Sequence, residues 1–68
     1  MRLSQLTRRI DRDDTIMVFE QNAPVDQNLL YEGRVRGIKR DDPINRMSVS
    51  HVCAVGDTIV VEVVKWRK

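Results

Sequence analysis

The chain predicts a small α+β domain in which a short N-terminal helix packs on a curved, mostly antiparallel four-stranded sheet, with a small barrel as the alternative. Three observations predict it. Leu3, Leu6 and Ile10 recur at helical spacing near the start, and two later stretches alternate with the period of two that belongs to strands. The last third holds two valine-rich runs separated by Gly56-Asp57. At 68 residues the chain makes one domain, residues 1–68, which buries a smaller fraction of its surface than a larger domain does. Its aromatic residues are Phe19, Tyr31 and Trp66, so the core is built from Val, Ile, Leu and Met.

The helix is expected over residues 3–11, with Leu3, Leu6 and Ile10 on one stripe and Ser4 as N-cap. Gln5, Arg8, Arg9 and Arg12 gather on the opposite face. Asp11, Asp13 and Asp14 end the helix in a polar corner, and three acids against three arginines read as a self-neutralising surface.

Residues 15–19 form the first strand. Thr15, Met17 and Phe19 point one way, Ile16 and Val18 the other, and both faces are apolar, as in a strand covered on two sides. A polar loop follows at residues 21–28, rich in turn formers and interrupted by Pro24. The second strand is expected over residues 29–38. Its dry face carries Tyr31, Gly33, Val35 and Gly37, and its wet face Leu30, Glu32, Arg34, Arg36 and Ile38. Glycines on the dry face mark a bulge, a sharp bend or the close approach of another backbone.

Asp42 followed by Pro43 starts a helical turn of about one turn's length, anchored by Ile44 and Met47, with Lys39, Arg40 and Arg46 outside. Residues 49–55 then pair with residues 58–65 through Gly56-Asp57, where Gly at the first central position suits a type II′ turn. Val49, Val52 and Val55 are three apart, which a flat strand cannot place on one face, so a bulge is expected near His51 or Val52. The basic tail, Lys65-Trp66-Arg67-Lys68, holds the one tryptophan, a residue suited to interfaces and base stacking.

Function classes narrow quickly. A single Cys53 excludes intrachain disulfides and points to a reducing interior, and no apolar run reaches the length of a membrane span, so a cytoplasmic protein with no membrane partner is expected. Cofactors and metals are not expected: His51 and Cys53 share a strand face, yet four ligands are needed and no other Cys or His exists. The default is a buried cysteine beside a partly exposed histidine. No nucleophile–base arrangement, phosphate loop or dinucleotide fingerprint occurs, and the chain reads as a non-enzyme. Self-association is the remaining route to stability for so small a core, through the second apolar face of the strands, and a homo-oligomer is expected.

Net charge is only +2, but nine of the twelve basic residues are Arg, whose planar fork suits phosphates and carboxylates. The candidate binding residues are Arg34, Arg36, Lys39, Arg40 and Arg46, together with Trp66. Arg34 and Arg36, two apart on one strand face, are spaced about 7 Å, which can hold a phosphate or an acidic side chain.

The string LSQLTRRID, DTIMVF, EQN, LYEGRVRGI and GDTIVVEVV resembles small proteins encoded by bacteriophages and mobile elements of Gram-positive bacteria. The resemblance rests on fold-determining residues across most of the chain. It implies an accessory protein that binds and blocks or sequesters a host factor, such as a defence component or a nucleotide signal. VFEQN followed by LLYEGRVRGI is also similar to the opening of the Sm-like fold, which implies the alternative of a small-barrel nucleic-acid binder. A purely structural oligomeric subunit is the third reading.

Overall fold

A computed structural model describes residues 1–21 and 28–64. Along the chain come α1 (Leu3–Thr7), β1 (Thr15–Glu20), β2 (Leu29–Arg34), a 3₁₀ turn (Val35–Gly37), a second 3₁₀ turn (Pro43–Arg46), β3 (Ser48–Val55) and β4 (Thr58–Val64). The strands form one open sheet in the order β2-β1-β4-β3, so no barrel closes. The outer pairings are antiparallel and the central pairing of β1 with β4 is parallel, which makes the sheet mixed. This order has a simple cause. β1 and β4 are the two strands apolar on both faces, and placing them side by side in the centre leaves the more polar β2 and β3 as edges.

One face of the sheet carries the core. Ile16, Val18, Val61 and Val63 are fully buried there, with Leu3 from α1 and with Val35 and Ile44 from the two turns. Leu6, Ile10, Ile38 and Met47 pack around them, as the anchoring role expected of Ile44 and Met47 requires. At roughly 1.5–3 kcal/mol for each fully buried aliphatic side chain, this cluster is the main source of stability. The opposite face, with Met17, Phe19, Val60 and Val64, is half-buried.

Several local expectations are corrected. The helix is five residues long, not nine, and its N-cap is Arg2 rather than Ser4. Gln5 Oε1 accepts from the Arg2 N–H at 2.8 Å, and the Leu3 N–H donates to the Met47 carbonyl, so the start is set by docking on the chain before β3. Downstream, Asp11 Oδ1 accepts from the Asp13 N–H, and this local turn competes with continued helix.

β2 ends at Arg34, four residues early. The Val35 N–H donates to the Asp14 carbonyl and the Arg36 N–H to the Arg12 carbonyl, which turns the chain so that Val35 enters the core. Of the alternatives for the dry-face glycines, the sharp bend is the one found, at the 3₁₀ turn after Arg34, and the group closest to them is a side chain rather than another backbone. Gly33 sits at φ +148°, and the Tyr31 side chain lies against both Gly33 and Gly37. A second irregularity of β2 lies at Leu30, where the pairing with β1 skips one residue.

The hairpin turn agrees with type II′. Gly56 has φ +59° and no non-glycine residue among those described has positive φ. The bulge of β3 falls at Ser50, one residue before its expected place, and Ser50 Oγ donates to the Glu62 carbonyl. Most of the loop at residues 21–28, and the tail with Trp66, lie outside the described residues.

Candidate functional site

Two short elements build a cleft beside the core. α1 turns Leu3 and Leu6 inward, which leaves Arg2, Ser4, Thr7 and Arg8 at its free side. The Pro43–Arg46 turn packs against it, held by Ile44 in the core and by Asp42 Oδ1, which accepts from the Ile44 N–H at 3.0 Å. Asn45 Nδ2 donates to the Lys39 carbonyl at 2.7 Å and to the Arg40 carbonyl at 3.2 Å, and so fixes the approach of Arg40 to the turn.

Between these elements lies an open concavity of about 760 Å³. Five arginines line it: Arg2, Arg8, Arg12, Arg40 and Arg46. Ser4, Thr7 and Asn45 add polar groups, and Ile10, Val35 and Ile38 add an apolar surface. Among the described residues, no carboxylate lines the cleft. Guanidinium groups remain charged at any ordinary pH, so the site concentrates positive charge in a chain whose net charge is near zero. Such a lining suits an anion with several oxygens, because each fork can donate to two of them. Thr7 Oγ1 donates to the Ser4 carbonyl, and among the described residues no imidazole, thiol or carboxylate is in the lining to act as a base.

The expected constellation divides. Arg40 and Arg46 enter the cleft, and Lys39 stays exposed beside it. Arg36 forms the one ion pair found among the described residues, with Asp13. Arg34 is exposed on the edge strand, paired in register with Thr15. The phosphate clamp expected from Arg34 and Arg36 on one strand face is therefore corrected: the strand stops between them, and Asp13 occupies one of the two. Trp66 is outside the described residues.

The reading of a self-neutralising arginine face on the helix is also revised. Asp13 faces Arg36 and Asp11 takes up a backbone N–H, while Arg8 and Arg12 line the cleft. Sequence reasoning gathered Arg8 and Arg12 but omitted Arg2. The available signal was the clustering of arginines within residues 2–12, although their meeting with residues 40–46 is a long-range event. Cys53 is exposed, not buried, and shares the outer sheet face with His51. Comparison of the chain with protein-family models, curated proteins and solved structures finds no match in any of the three.

Proposed function

We propose that this chain is a non-enzymatic binding protein that captures a phosphate-bearing ligand of nucleotide size in the arginine cleft. The observation that carries this reading is five arginines lining one concave surface, with no carboxylate among the described residues that line it. Its volume falls within the ~300–1,000 Å³ of small-molecule sites, and the apolar strip of Ile10, Val35 and Ile38 gives a base or sugar a surface to lie on. The described lining offers arginines, hydroxyls and an amide but no base, which favours capture over turnover. Sequestration of a nucleotide signal fits the resemblance to phage and mobile-element accessory proteins.

A nucleic-acid backbone is the second reading. Arg9, exposed next to Arg8, extends the positive surface beyond the cleft. Calorimetric titration with inorganic phosphate, nucleoside mono-, di- and triphosphates and a short single-stranded RNA separates the two. Nucleotide capture predicts saturable binding that rises with phosphate number and falls about tenfold, or ~1.4 kcal/mol, on Arg8→Ala or Arg46→Ala. Arg34→Ala and Arg36→Ala should leave it unchanged. Preference for RNA with a steep salt dependence would move the assignment to nucleic acid. Loss of binding on Arg34→Ala alone would refute the cleft.

A further inference from the structure

The two edges of the sheet are treated differently. β2 is protected: the irregularity at Leu30, the positive φ of Gly33 and the exposed charges of Glu32 and Arg34 all discourage a further strand. β3 is protected at its start only. Arg2 bridges Ser48, the Val49 N–H donates to the Met1 carbonyl at 2.7 Å, and Ser50 bulges. Beyond that point residues 51–55, His-Val-Cys-Ala-Val, are all exposed, with no charged side chain, proline or glycine. Val52 is 43% exposed and Val55 64%. Their side chains pair in register with β4 on one side, and among the described residues no turn or loop hydrogen bond reaches them.

We infer that this bare half of β3 is a self-pairing edge: two copies of the chain join antiparallel along residues 51–55 into a continuous eight-stranded sheet. A second copy is the occupant that the residues favour. An antiparallel pair of identical strands is self-complementary about a two-fold axis, and an edge without charges offers itself no repulsion. The bulge-free segment centres on Cys53. In that register Val52 meets the second copy's Ala54 on the core-side face, Val55 meets its His51 on the outer face, and the two Cys53 residues stand opposite each other. Each exposed valine thus gains a cover. A five-residue strand pair makes a small interface, of the kind found in weak, concentration-dependent dimers.

Sedimentation equilibrium across about a hundredfold range of concentration tests this, since occupancy of a weak dimer must change over such a range. The mass should climb from 7.9 kDa toward twice that value. A short bis-maleimide should link the dimer through Cys53, the chain's single cysteine. Ala54→Lys and Val52→Glu, both at exposed positions, should each hold the chain at monomer mass with unchanged far-ultraviolet circular dichroism. An equal mixture of the two should form the mixed dimer in native mass spectrometry, because the lysine introduced in one copy then faces the acid introduced in the other. A monomer at the highest concentration would overturn the proposal. So would a dimer that persists in Ala54→Lys or that fails to link at Cys53.

Discussion

The Tyr31 hydroxyl donates to the Arg34 carbonyl at 2.6 Å, and in doing so it occupies the space that a side chain on Gly37 would need. The ring thereby closes the corner where the edge strand turns into the 3₁₀ segment that sends Val35 into the core. Residues that periodicity put on a common strand face meet here through a bend.

Gly37→Ala should therefore destabilise the domain by about 1–2 kcal/mol, because the added methyl overlaps the phenol oxygen and something must shift. Removing that oxygen should relieve it. The ring carbon Cζ lies 3.5 Å from the same methyl position, which is an ordinary contact. Urea unfolding of Gly37→Ala, Tyr31→Phe and the double variant checks this: the double variant should be less destabilised than the sum of the two singles. Strict additivity would refute the packing argument.

Asn45 links the turn to the Lys39-Arg40 segment that leads into it through its two carbonyl contacts. Asn45→Ala should cost about 1 kcal/mol in stability, since both bonds are at an exposed site. Ligand affinity should fall as well, by a fewfold, because Arg40 loses its fixed backbone. Denaturation and calorimetric titration of one protein preparation read both effects. An affinity unchanged in a destabilised variant would show that Arg40 needs no such support.

The hairpin turn offers a test free of packing. At Gly56, φ is +59° and no atom lies within 4 Å of the place a Cβ would take, so a substitution there acts on the backbone alone. Gly56→Ala should cost about 1 kcal/mol or slightly more, and Gly56→Asn less, because the positive-φ positions of primed turns are populated by Gly, Asn and Asp. Thermal melts of the two variants give the comparison. Equal melting temperatures would refute the turn assignment.

Much of the cleft's chemistry is legible in the sequence, but little of its assembly is. Arg40 and Arg46 stand out as basic residues around a short turn, and Asp42-Pro43 announces the turn itself. Arg34 and Arg36 look like the stronger pair because alternation places them on one face. They fail because alternation holds only while the chain stays extended. Whether it stays extended past Arg34 is decided by carbonyls of Arg12 and Asp14, more than twenty residues earlier in the chain.

The sequence by itself determined the opening helix, the four strands and their order along the chain, the turn at Asp42-Pro43 and the hairpin with its glycine turn, whereas the turn at Val35–Gly37 and the choice of Ile16, Val18, Val61 and Val63 as the buried face came from the fold. Periodicity and turn chemistry are local, so one stretch of residues suffices to read them. Only the tertiary structure decided that β1 lies parallel to β4, that the helix stops after Thr7, and that arginines from residues 2–12 meet those from residues 40–46. Each of these depends on which distant partners satisfy a backbone group or cover an apolar face, and neither strand order nor a cleft between separate segments has a local signature.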